Sequence, residues 1–214
     1  VAGQGSFGVA AWIKTTSAAT QIVAQQRGPI DNTSAFLLEV DSGYVRWLSY
    51  QGFDGFSTRQ VNDGNWHHIV GARETSGIAK IYIDGVLDKT IAGVLRAPAA
   101  DVVTVTIGGD LRANREYFNG MIDDLVVLNS APTAQEVTQL VFEAPILSLH
   151  LDDPSGSRTF TDVTRLRMDG TCFGATCPLA GVAGQVREGA RFDGVDDFVT
   201  IAPASTLDLP PLGY

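Results

Sequence analysis

The chain has 214 residues, 44% of them hydrophobic and 18% charged, with 23 glycines and 9 prolines. That is long enough to bury a real core, and it is too apolar and too turn-rich for a disordered polymer. A formal net charge of −9 removes the attraction that brings proteins to phosphate backbones or anionic lipid, so nucleic acid is not an expected partner.

Phe7–Ile13 opens the ordered pattern and is apolar on both faces, as a strand is when its sheet is covered on both sides; a central position is expected. Phe36–Val40 and Val45–Tyr50 follow as two strands around the turn Asp41-Ser-Gly43. Asn62-Asp-Gly-Asn65 leads into Trp66–Ala72, where His67 and His68 point to opposite faces, with one histidine and Trp66 expected to pack in the interior. Ala79, Ile81 and Ile83 alternate with Lys80, Tyr82 and Asp84 before the turn Asp84-Gly85, and Val103, Val105 and Ile107 alternate with Thr104 and Thr106. Thr133 stands three residues before Glu136, the spacing of a capping box, and Val137, Leu140 and Val141 supply an apolar face; a short helix on a sheet edge is expected. Ile146–Leu151 is a further strand, and Ala190–Phe192 and Phe198–Ile201 flank a hairpin at Gly194-Val195. Many short strands with frequent turns mean an all-β sandwich or barrel.

The two cysteines, Cys172 and Cys177, lie on either side of Gly174 in a turn-like stretch closed by Pro178, and a disulfide between them is expected. An oxidising, extracellular or cell-surface location follows. No apolar run reaches the roughly 18 residues of a membrane-spanning helix, so membrane insertion is not expected, and Val1–Gly5 is not a signal peptide.

Three segments taken in order, Ser6–Lys14, Asp63–Val70 with Ile81-Tyr-Ile-Asp-Gly85, and Asn119–Leu125, resemble the bacterial laminin G-like family of concanavalin A-like jelly rolls. Leu149-His-Leu-Asp-Asp153 and Phe192–Val199 resemble the opening strands of the same family. In that family the opening segment comes first, whereas here it follows the helix, so the chain is permuted relative to the usual order. The resemblance implies a two-sheet antiparallel jelly-roll sandwich with one short helix: residues 1–142 form its main body, and residues 143–214 are opening strands that complete this sandwich or that of a neighbouring unit.

It also implies candidate sites. Asp31-Asn32 resembles the calcium ligands of pentraxins, with Asp110 where those proteins carry further acids, although Arg112 stands where another carboxylate is expected. A second acidic group, Asp123 and Asp124 with Asp193, Asp196 and Asp197, is expected near the junction of the two segments, against the simpler reading that Asp193-Gly-Val-Asp196 is a turn. Either group makes Ca²⁺ the candidate cofactor. Glu39-Val-Asp41 resembles the acids of laminarinase-type glucanases, but the third position is Gly43, and retaining hydrolysis needs two carboxyls roughly 5 Å apart. No catalytic residue is therefore expected, and Glu39 and Asp41 read as solvated strand-end acids. Tyr50, Phe53, Phe56 and Tyr117, in glycine- or charge-rich stretches, are candidate stacking platforms for sugar.

The expected function is a non-catalytic extracellular structural or adhesive module, a repeat unit or subunit of a surface fibre or large adhesin. Its expected partners are neighbouring copies engaged through residues 143–214, and glycans or surface proteins. The alternative is a calcium-dependent carbohydrate-binding module.

Overall fold

The computed structural model describes residues 5–27, 34–49, 52–94, 104–110, 115–139, 147–164 and 167–201. The strands are β1 (Phe7–Lys14), β2 (Gln21–Arg27), β3 (Ser34–Asp41), β4 (Tyr44–Ser49), β5 (Phe53–Gln60), β6 (His67–Arg73), β7 (Ala79–Ile83), β8 (Val86–Ile91), β9 (Thr104–Ile107), β10 (Asn119–Leu128), β11 (Leu147–Leu149), β12 (Thr159–Phe160), β13 (Gly170–Thr171), β14 (Leu179–Ala183), β15 (Glu188–Asp193) and β16 (Val199–Ile201). Among the described residues they form two antiparallel sheets of eight strands. One runs β14-β15-β10-β1-β6-β7-β8, with β11 also on β10; the other runs β12-β13-β16-β9-β2-β3-β4-β5.

Alternating side chains explain why these strands pair face to face. Phe36, Leu38, Val40, Val45, Trp47, Val105, Ile107, Val199 and Ile201 point inward from the second sheet onto Val9, Ile13, Ile69, Ile81, Ile122 and Leu125 of the first. Trp47 is fully buried, packs on Phe7, Phe36 and Phe53, and donates its indole N–H to the Ala72 carbonyl at 3.1 Å. Gly71 makes that approach possible, since a Cβ there would lie 2.4 Å from the Trp47 ring.

The tight hairpins sit where the turn residues predict. Ser42 and Gly43 both adopt positive φ (54° and 84°), as do Asp84 and Gly85 (53° and 80°), the conformation that matches a two-residue loop to the twist of its strands. The β3–β4 turn fixes a register in which Glu39 faces Arg46, Leu38 faces Trp47 and Leu37 faces Leu48.

β1 lies between β10 and β6, the central place its apolar faces predict. Its outer side is covered by the helix α1 (Ala134–Gln139), whose Val137 packs with Ala10, Val70, Ala72 and Tyr82. The helix thus lies on the outer face of the first sheet beside its edge strand β8: Ala10, Val70 and Ala72 offer an apolar patch there, and Thr138 Oγ1 donates to the carbonyl of Gly85, in the turn before β8, at 3.3 Å. The capping box forms in both directions: the Thr133 amide donates to Glu136 Oε2 (2.6 Å) and the Glu136 amide donates to Thr133 Oγ1 (3.2 Å). His68 is buried on this same outer face, against Trp12, rather than between the sheets.

Residues 147–201 pair with strands of their own chain. β15 takes the first half of β10 (Asn119–Ile122) and β11 the second (Leu125–Val127), while β16 extends the second sheet from β9. Cys172 and Cys177 form the expected disulfide across a single 3₁₀ turn, Gly174–Thr176.

Candidate functional site

On the outer face of the second sheet, the described parts of the connection from β9 to β10 (108–110 and 115–118) lie against β2. That connection folds back over β2: the Gly109 carbonyl accepts Gln25 Nε2 (3.2 Å) and Thr106 Oγ1 (3.0 Å), Asp110 pairs with Arg27 (2.9 Å), and the Ile22 amide donates to the Glu116 carbonyl (2.8 Å). Beyond it, on β3, β4 and β5, a row of side chains crosses the strands in register: Glu39, Arg46 and Phe56, with Asp54 beside them. Ile22, Leu37 and Leu48 form a small buried apolar floor on the same face.

Arg46 organises this strip. Its Nε and Nη2 donate to the two carboxylate oxygens of Asp54 (2.8 and 2.7 Å), its Nη1 donates to Glu39 Oε1 (3.0 Å), and its guanidinium lies 5.0 Å from the centre of the Phe56 ring. A planar cation held by a fork and a ring has little freedom left, so its neighbours are held as well. Phe56 nevertheless stays 41% exposed and the Asp54 side chain 52% exposed, whereas Glu39 is buried. Burial drives the Glu39 carboxyl up from 4.5 to about 7 against the opposing pull of Arg46, and Glu116 and Asp41 push it further in the same direction. The reading of Glu39 as a solvated strand-end acid is therefore corrected: its side chain, 3% exposed and paired across the strands with Ile22 and Arg46, has little water to face.

The remaining candidates are dispersed. Phe53, expected as a platform, is a core residue 4% exposed against Trp47, because its place on β5 points it inward. Tyr117 is half-buried over Gly109, on the β9 side rather than beside Phe56; burial raises its hydroxyl pKa first, then the charges of Asp196 and Asp110. Tyr50, Asp31 and Asn32 lie outside the described residues. Asp110, proposed from sequence as a cation ligand, is fully buried, and its Oδ2 accepts from the Arg27 guanidinium at 2.9 Å.

Asp123 is not brought to the hairpin acids. It sits where β15 ends and β11 begins along β10, and its carboxylate accepts the amides of Asp124, Gln185 and Val186; burial raises it to about 6. Asp193, Asp196 and Asp197 do converge, with carboxylate oxygens within 4.8 Å of one another. Their donor chemistry suits Ca²⁺, which takes six to eight oxygens. Two of the three already serve the turn: Asp193 Oδ1 accepts the Val195 amide (2.8 Å) and Asp197 Oδ2 the Asp193 amide (2.8 Å).

Arg46 and Asp54 were not singled out from sequence. The signal was present, since a two-residue turn at Ser42-Gly43 sets Glu39 opposite Arg46, and a charge between Val45 and Trp47 must face away from the core.

A laminin G family model, described as the concanavalin A-like lectin/glucanases superfamily, matches residues 1–138. The chain belongs to this family. Among solved structures, a putative carbohydrate binding protein from Bacteroides ovatus is similar over 97% of this chain and 55% of its own (16% identity, TM-score 0.58). The chain thus spans little more than half of that protein. The CBM40 domain of the Ruminococcus gnavus IT-sialidase is similar over 66% of this chain and 85% of its own (16% identity, TM-score 0.53). A Trypanosoma rangeli sialidase is similar over 63% of this chain and 22% of its own (15% identity, TM-score 0.51). At these identities the likeness is one of fold. No curated relative matches the chain.

Proposed function

We propose that this laminin G-like domain is a non-catalytic carbohydrate-binding module of a secreted or surface protein, and that it binds saccharide on the strip formed by Phe56, Arg46 and Asp54, with the buried Glu39 bonded to Arg46. The observation that carries the reading is an exposed aromatic ring fixed beside a fork of charged hydrogen-bonding groups on a rigid sheet. A sugar ring presents an apolar C–H face and a rim of hydroxyls. Phe56 is suited to the first and the exposed Asp54 carboxylate to the second. Such a site on paired strands is preorganised, so little ordering cost opposes binding.

Several observations support the other parts of the reading. The structural neighbours with TM-scores above 0.5 include a putative carbohydrate binding protein and a CBM40 domain. The disulfide suits an oxidising compartment, and among the described residues no helix is long and apolar enough to cross a membrane. Glu39 lacks the partner that retaining hydrolysis needs at position 43, which is the turn glycine Gly43. The strip's charges already satisfy one another, so saccharide binding is independent of Ca²⁺. The pairing of β11, β15 and β16 within the chain favours a sandwich completed by its own residues over one that lends strands to a neighbour.

The test is calorimetric titration of a panel of plant and microbial polysaccharides into the wild type and Phe56→Ala. Binding to at least one member is expected, weakened about tenfold or more in the variant, since an aromatic contact contributes ~1.5 kcal/mol. Equal binding by both proteins, or no binding to any member, refutes the assignment.

A further inference from the structure

The charges around the strip define which sugars it accepts. Among the described residues, Glu39 (β3) and Asp54 (β5) lie in the strip with the cation Arg46, the charges of Asp41 (β3) and Glu116 (β9–β10 connection) act on Glu39, and Arg115 pairs with Glu116. Arg46 is forked onto Asp54 and bonded to Glu39, and Arg115, its side chain 64% exposed, lies 3.3 Å from Glu116. The group nearest to solvent beside the Phe56 ring is the Asp54 carboxylate, which is 52% exposed. An incoming carboxylate would therefore meet a fixed like charge first, beside a guanidinium already bonded to the carboxyl groups of Asp54 and Glu39.

We infer that the strip selects uncharged saccharides and rejects uronic-acid and sialic-acid sugars, with Asp54 as the residue that sets this discrimination. The inference rests on the carbohydrate reading above and deepens it. A neutral sugar offers hydroxyl donors to the carboxylate rim and needs no counter-ion. An acidic sugar placed over Phe56 brings its charge close to Asp54, and at about 6 Å with an effective dielectric near 40 one added like charge costs about tenfold in affinity. Salt screens an exposed pair of this kind, so the penalty shrinks as ionic strength rises.

The experiment compares one neutral oligosaccharide that binds the wild type with the same oligosaccharide after oxidation of its C6 hydroxyls to carboxylates, titrated into the wild type and Asp54→Asn at low and high salt. The expected result is at least a tenfold preference for the neutral form, reduced in the variant and at high salt. Equal or tighter binding of the oxidised form overturns the inference while leaving carbohydrate binding intact. So does a preference that neither the variant nor salt changes, since its cause is then shape. If no neutral or acidic saccharide binds either protein, the carbohydrate reading itself fails and this inference falls with it.

Discussion

Glu39→Gln separates the energetics of the strip from those of the rest of the sandwich. In the folded chain the Glu39 carboxyl titrates at about 7 instead of 4.5, with burial as the main cause. Between these values the folded state holds a proton that the unfolded state has released, so stability is greatest at low pH and declines as pH rises toward 7. At about 1.4 kcal/mol for each tenfold change, the loss between pH 4.5 and pH 8 is about 3 kcal/mol. Glutamine keeps the shape, cannot charge, and leaves Arg46 its two bonds to Asp54. Relative to the wild type, the variant should therefore gain about 3 kcal/mol on going from pH 4.5 to pH 8, a Tm difference of roughly 6–12 °C for a domain of this size.

The assay is urea unfolding of both proteins at the two pH values and constant ionic strength. The groups acting on Glu39 are Arg46, Glu116 and Asp41, and Asp54 acts through Arg46. Other groups also contribute to the wild-type curve. Asp123 and Asp197, raised to about 6, favour low pH as Glu39 does. His68, lowered to about 4 by burial, acts in the opposite sense, its contribution being lost as pH falls from 6.5 toward 4. These terms are common to both proteins and cancel in the difference. A difference between wild type and variant that stays constant across pH would show that Glu39 is not held at a raised pKa, and would refute the buried-acid account of the strip.

Trp47→Ala should cost ~3–5 kcal/mol, because it empties the ring site shared by Phe7, Phe36 and Phe53 and orphans the Ala72 carbonyl; thermal unfolding should show a Tm lowered by roughly 6–20 °C. Replacing Cys172 and Cys177 by serine opens a loop with a sequence separation of 5 and should cost about 2 kcal/mol by chain entropy, measurable in urea and matched by treating the wild type with reductant. Light scattering after size exclusion should give one mass near 22.7 kDa at all concentrations, as expected of a sandwich filled by its own strands, and a concentration-dependent ladder of multimers would favour exchange between units. Chelation by EDTA should leave saccharide affinity unchanged, whereas its loss would restore the calcium-dependent alternative.

Much of this architecture was legible in residue order because its causes are local. Period-two alternation marks a strand wherever one face is buried, as at Val105 and Ile107. The Thr133–Glu136 box announces the first turn of α1, and Asp84-Gly85 tolerates the positive φ its hairpin demands. The double-faced apolarity of Phe7–Ile13 also reported a non-local fact, a covered central strand, because each face records its own neighbours. Phe53 and Phe56 show where this stops: they are three residues apart in the same glycine-rich stretch, yet one fills the core and the other stays at the surface. A β-strand reverses its side chains at every step, so their separate fates depend on a phase that pairing with β4 supplies.

The amino-acid sequence by itself determined the fold class, the turns, the helix cap and the disulfide, since each depends on residues within a few positions of one another. The tertiary structure decided which charges meet. Glu39, Arg46, Asp54 and Glu116 come from three strands and a distant connection, and Asp123 and Asp110 accept hydrogen bonds from partners 62 and 83 residues away. Electrostatic and hydrogen-bonding partners are chosen by distance in space, and across paired strands that distance is set by register and packing rather than by order along the chain.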